Sequence, residues 1–170
     1  YLFYNNYIKS NKQIEKSEII KKENIEEDIQ NNLIKNLKYD VRFEDNSRYS
    51  ITSDLSEITY VEEVETVNMT GVVASIIDKN GLIYKITSDK AVFNNSTYNT
   101  IFKKNVKITY LENLISSENL ELDFAENIVI ITNNVVYDGI KGVIKSDNIK
   151  VNLITKNIEI FMDNKKQKVE

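Results

Sequence analysis

The chain has 170 residues, a length for one domain or one domain with a tail, and 41% of them are hydrophobic, enough for a sizeable core. A net charge of −4, with no basic patch interleaved with aromatics, argues against a nucleic-acid surface. Cysteine and histidine are both absent, which removes disulfides, thiol chemistry and the commonest general base and metal ligand; proline is absent as well.

Residues 1–38 differ in character from the rest. The aromatic stretch YLFYNNYI (1–8) leads into a mixed-charge segment in which Ile25, Ile29, Leu33 and Leu37 recur every four residues, with Ile34 beside Leu33. That spacing predicts an amphipathic helix. No run reaches the roughly 18 apolar residues of a membrane span. The chain opens on Tyr1 rather than Met, and Tyr1, Phe3, Tyr4 and Tyr7 suit the interfacial end of a transmembrane helix lying upstream. The alternative is a plain disordered or packed N-terminus.

From Tyr39 onward the texture is that of strands: Ile, Val, Tyr, Thr and Phe, punctuated by Asn, Asp, Gly and Ser. Val106, Ile108 and Tyr110 alternate with Lys107 and Thr109; Leu120, Leu122 and Phe124 with Glu121 and Asp123; Ile149, Val151 and Leu153 with Lys150 and Asn152. Each reads as a half-buried strand with one apolar face.

A repeat organises this region. Ile86-Thr-Ser-Asp89 returns 29 residues later as Ile115-Ser-Ser-Glu118 and 29 later again as Ile144-Lys-Ser-Asp147. Ile51-Thr-Ser-Asp54 is a fourth copy, with a six-residue insertion in the first unit. Ala91, Leu120 and Ile149 keep the step, as do Phe93, Leu122 and Val151; Asn105-Val106 corresponds to Asn134-Val135, and Gly71-Val72 falls at the same place in the first unit. Gly and Asn best tolerate a left-handed backbone, so this position predicts a turn or bulge before a strand. The apolar positions flip parity between Ser88 and Ala91, and again between Ile115 and Leu120 and between Ile144 and Ile149. Because side chains alternate, the apolar face stays inward only if the strand breaks or bulges at Ser-Asp/Glu. The expected unit is a strand, a corner near Ser53, Ser88, Ser117 or Ser146, and a second strand, each unit adding a layer to both walls of a two-sheet structure. The repeated acids read as solvated corners, since Asp, Glu and Ser hydrogen-bond the local backbone at bends. A calcium-binding ladder is the sharper alternative, supported by only one acid per layer. No nucleophile–base arrangement, paired carboxylates or phosphate loop stands out, so no catalytic residue, cofactor or metal is assigned.

With the repeat established, the chain from about Tyr39 to Met162 resembles the LptC family, membrane-anchored periplasmic proteins of lipopolysaccharide export. Tyr49-Ser-Ile-Thr-Ser matches its first Y-x-I-x-A strand, Gly81 to Phe93 its G-x-x-Y-x-I-x-A-x-x-A segment, and Lys104-Asn-Val-Lys-Ile the G-x-V-x-V that follows. Leu114 to Asp123 and Gly142 to Val151 resemble later layers. Ser53 and Ser88 stand where alanine is usual, and Asn105 partly replaces a usual glycine.

The resemblance implies an all-β fold, a twisted open β-jellyroll of two facing antiparallel sheets, holding the acyl chains of lipopolysaccharide between them. It divides the chain into a juxtamembrane tail (1–38), a lipid-binding jellyroll (39–162) and a charged C-terminal tail (163–170). It implies a location at the periplasmic face of the inner membrane, on a single anchor outside this chain. Inner-membrane transporter subunits would meet the N-terminal edge. A soluble LptA-like jellyroll would add a strand to the C-terminal edge formed by Asn157, Ile158, Glu159, Ile160, Phe161 and Met162. Chosen by parity, the slot lining would be Tyr49, Ile51, Tyr84, Ile86, Phe93, Ile108, Tyr110, Leu122, Phe124 and Val151. Two alternatives remain at this point: a soluble LptA-like bridge, and a structural β-repeat scaffold with a dry core and no ligand.

Overall fold

The computed structural model describes residues 33–61, 63–155 and 157–162. They form nine strands: β1 (Leu33–Arg42), β2 (Arg48–Val61), β3 (Val64–Ile77), β4 (Ile83–Asn94), β5 (Thr100–Tyr110), β6 (Asn113–Asp123), β7 (Ile128–Gly139), β8 (Gly142–Asn152) and β9 (Ile158–Phe161). All neighbours are antiparallel, and the spatial order is the chain order, β1 to β9, in one sheet. No helix occurs among the described residues.

The amphipathic helix expected through Leu33, Ile34 and Leu37 is therefore replaced by strand β1, and the sheet begins at Leu33 rather than Tyr39. The four-residue spacing suits a helical stripe, but as a strand the segment turns its corner at Asn36, so that Leu37 and Ile34 pair the buried Ser53 and Ser56 while Leu33 pairs the exposed Glu57. Pairing along β2, from Leu33↔Glu57 to Arg42↔Arg48, decides between them. Ile25, Ile29, the aromatic residues at 1–8 and the tail at 163–170 lie outside the described residues.

The two sheets expected from the repeat are one sheet folded along a line. Eight strands run unbroken through the corner; from β1 to β4 the register is kept across it, and from β4 to β8 it steps there. Ser53 pairs Val72 and Leu55 pairs Thr70, with Asp54 and Gly71 left between. Between β5 and β6 the partners jump from Lys103↔Asn119 to Val106↔Ser117. Between β7 and β8 they jump from Thr132↔Asn148 to Val135↔Ser146. In these two pairs, two residues oppose one, which is a bulge. The odd-numbered strands take left-handed backbone at this line: Asn36, Gly71, Lys104, Asn105, Asn133 and Asn134 have φ between 51° and 66°. Asn and Gly adopt that conformation at low cost, which explains their recurrence in the sequence step. At Gly71 a Cβ would also lie 2.1 Å from Asp54 Oδ2.

The even-numbered strands bring Ser53, Ser88, Ser117 and Ser146 to the inner side of the corner, all buried. The Ser88 hydroxyl donates to the Lys90 carbonyl (2.8 Å) and that of Ser117 to the Asn119 carbonyl (3.1 Å), so each satisfies an acceptor just beyond the corner. Ser53 bonds Ser56.

The fold line divides every strand from β1 to β8 into two halves. Wall A contains the segments 37–42, 48–53, 72–77, 83–88, 106–110, 113–117, 135–139 and 142–146, and wall B contains the rest together with β9. No strands other than chain neighbours bring Cα atoms within 8 Å, as expected of walls about 10 Å apart with side chains between them. The walls are skewed by the sheet twist. Tyr39 on β1 packs its ring against Phe93 of β4, and Tyr49 on β2 bonds Thr100 of β5, so wall A meets wall B about three strands further along the chain.

Candidate functional site: the space between the walls

Strand register aligns the inward side chains into continuous rungs. In wall A, Ile51 pairs Ala74, Ala74 pairs Ile86, Ile86 pairs Ile108, and the rung goes on through Ile115 and Tyr137 to Ile144. In wall B, Val67 pairs Phe93, and the rung runs through Thr100, Leu122, Val129 and Val151 to Ile158. Neither rung carries a charge, while Lys85, Lys107 and Glu121 point to the opposite faces and are exposed.

All ten residues chosen by parity face this interior, though not equally. Tyr49, Ile51, Ile86, Phe93, Ile108 and Leu122 are buried in the packed core. Tyr84 and Tyr110 stand half-buried at the free edge of wall A, their rings stacked at 4.4 Å and 8°. Burial, and secondarily the adjacent Tyr110, push the Tyr84 phenol up to about 12. Phe124 lies just past the end of β6 and packs on Phe43 and Tyr49, ring centroids 5.0 Å from each. Val151 is half-buried on β8 and packs against the core.

The parity reading passed over other core members on the same faces, among them Met69, Phe102, Val106, Leu120, Ile131 and Val135. Leu120 was legible, since it keeps the 29-residue step. Thr100 was not: a fully buried threonine on an apolar rung becomes meaningful only once Tyr49 is seen opposite.

Exposure along the rungs grades from one end to the other. In wall A it rises from 0% at Ile51 through 9% at Ile108 to 45% at Ile144; in wall B it rises from 0% at Phe93 to 60% at Ile158. For wall A the skew supplies the reason; in wall B, Ile158 lies on the edge strand β9. The last strands of wall A need wall-B strands beyond β9 to cover them. The interior is thus closed at its N-terminal end and open at its C-terminal end.

The two edges of the sheet also differ. β1 carries Lys35, Lys38 and Arg42, with Lys38 paired to Asp40 at 2.8 Å, and edge lysines discourage further strand pairing. β9 is short, pairs β8 only from Asn148↔Phe161 to Val151↔Ile158, and leaves Ile158, Ile160, Phe161 and Met162 exposed. No cluster of three or more metal-ligating side chains exists among the described residues. At the corner, Asp89 instead accepts from Asn105 Nδ2 at 2.7 Å.

A family model described as "Lipopolysaccharide-assembly, LptC-related" matches residues 1–165. The chain belongs to the LptC-related family. Membership implies involvement in lipopolysaccharide transport, with a periplasmic association with the inner membrane. A search of curated proteins finds no match. Among the described residues no helix is long and apolar enough to cross a membrane.

Proposed function

We propose that the chain is a non-enzymatic conduit, in which lipopolysaccharide acyl chains lie between walls A and B and pass toward the C-terminal end. The observation that carries this reading is the pair of uncharged rungs that cross the whole sheet and become solvent-exposed at one end only. Apolar surface left in water there is stabilised by burial at roughly 25 cal/mol per Å², whether by an acyl chain or by protein. Tyr49, Ile51, Tyr84, Ile86, Phe93, Ile108, Tyr110, Leu122, Phe124 and Val151 form the lining in this reading. Inner-membrane transporter subunits deliver lipid at the β1 edge. An LptA-like jellyroll receives it at Asn157–Met162 by adding a strand to β9 and extending both walls. The contrast between the lysine-bearing β1 edge and the apolar β9 edge supports that polarity.

Site-specific photo-crosslinking tests the lining. A photoreactive residue at Phe93, Ile108 or Phe124 is expected to capture lipopolysaccharide during transport, and one at Lys107 or Glu121 is not. Equal labelling of both sets, or labelling of neither, refutes the assignment. Phe124→Asp is expected to block lipid binding, because an isolated carboxylate in an apolar site is costly unless it is neutralised or paired.

A further inference from the structure

Polar bonds join the walls within the closed end of the interior. Tyr49 Oη and Thr100 Oγ1 lie 2.8 Å apart, with 1% and 0% exposure. The Thr100 hydroxyl donates to the Tyr98 carbonyl at 3.0 Å, so Tyr49 is the donor across the gap. Nearby, Tyr39 Oη on wall A donates to Glu65 Oε1 on wall B at 3.0 Å, and the same oxygen accepts from Asn95 Nδ2 at 3.2 Å. The Tyr49 ring rests on Phe124, which rests on Phe43.

These contacts differ in kind from the rest of the interior. Where two apolar faces meet, an acyl chain can replace one by the other with little change in chemistry. Where Tyr49 meets Thr100, an inserted chain strands a buried phenolic donor, and no methylene can accept its hydrogen bond. We infer that Tyr49 and Thr100 form a pin that holds the N-terminal half of the walls together, and that an acyl chain occupying that half must break it. This rests on the conduit reading above. The C-terminal half, already open, takes lipid without breaking the pin; the pin sets the resistance to lipid occupying the full length of the interior.

Two measurements on the full chain test it, with fluorescently labelled lipid A as the probe. Tyr49→Phe keeps the ring against Phe124 and leaves the Thr100 hydroxyl bonded to Tyr98. Lipid A should reach the closed half, read as photo-crosslinking at Phe93, about 2- to 12-fold faster, equivalent to one neutral hydrogen bond of ~0.5–1.5 kcal/mol. A merely structural role would lower the melting temperature and leave that rate unchanged. The second measurement uses the absence of native cysteine. Glu44 and Ala125 are exposed and follow Phe43 and Phe124, so Glu44→Cys with Ala125→Cys places two unique thiols beside the ring contact. Bridging them with a short, cleavable bis-maleimide should abolish lipid uptake into the closed half, read as loss of photo-crosslinking at Phe93, and cleavage should restore it. An unchanged rate of Phe93 labelling in Tyr49→Phe, or unchanged crosslinking at Phe93 in the bridged protein, overturns the pin while leaving the conduit standing. Absence of lipid A binding by the unmodified protein removes the conduit and the pin together.

Discussion

Ser88 and Ser146 occupy equivalent corner positions and are equally buried, yet their hydroxyls differ. Ser88 bonds the Lys90 carbonyl, whereas Ser146 Oγ finds no partner among the described residues. Ser88→Ala is expected to cost about 0.5–1.5 kcal/mol, and Ser146→Ala to be neutral or stabilising, because a buried unbonded hydroxyl carries a desolvation penalty. Urea melts of the two variants check the opposite signs. A second expectation at this scale follows from the tyrosines. Tyr84 is raised from 10.0 to about 12, and burial raises Tyr49 in the same direction. A phenol whose folded pKa exceeds its unfolded value contributes fully below about pH 10, and that contribution is lost as pH climbs through the folded value. Stability should therefore fall between pH 10 and 12 while Tyr84 is still protonated in the folded state. Tyrosinate absorbance against pH in wild type and Tyr84→Phe should show the variant lacking one late-titrating group.

At the scale of the element, β9 is the place where the sheet is least finished. An edge strand points alternate backbone N–H groups toward β8 and toward solvent, and proline removes a single donor. Of Glu159→Pro and Ile160→Pro, one should leave the domain folded but abolish binding of the downstream jellyroll, and the other should also destabilise the β8–β9 pairing. Thermal melts alongside a pull-down decide the matter: two folded variants that both still bind would exclude β9 as the docking strand. β1 illustrates the limit of reading an element from spacing alone. Leu33 and Leu37 satisfied a helical stripe, and only the length of β2 available for pairing made them strand.

For the whole molecule, the conduit and the dry scaffold differ in what the purified protein carries. Mass spectrometry of an organic extract should show co-purifying lipopolysaccharide fragments, fewer in Phe124→Asp; a protein free of lipid in both forms supports the scaffold. Much of this architecture was legible in the residues. The 29-residue step located the corners at Ser-Asp/Glu, and alternation assigned inner and outer faces. The continuity of the strands was not legible, because a strand that ends and one that bulges produce the same parity flip. Nor was the gradient of exposure. Ile51 and Ile144 are the same residue type at equivalent positions of the repeat, and what separates 0% from 45% exposure is whether an opposing strand exists about three places later.

The strand order β1 to β9 means that every strand pairs only with its neighbours in the chain, with the opposing wall always a fixed few strands ahead. The protein therefore has a modular length. A hairpin added or removed by whole 29-residue units leaves each remaining rung, corner and skewed contact with an equivalent partner, and alters the passage by about 10 Å, two strand spacings. Reach, in such a molecule, is counted in hairpins, and gene duplication or deletion could adjust it to the distance to be crossed without redesigning the wall chemistry.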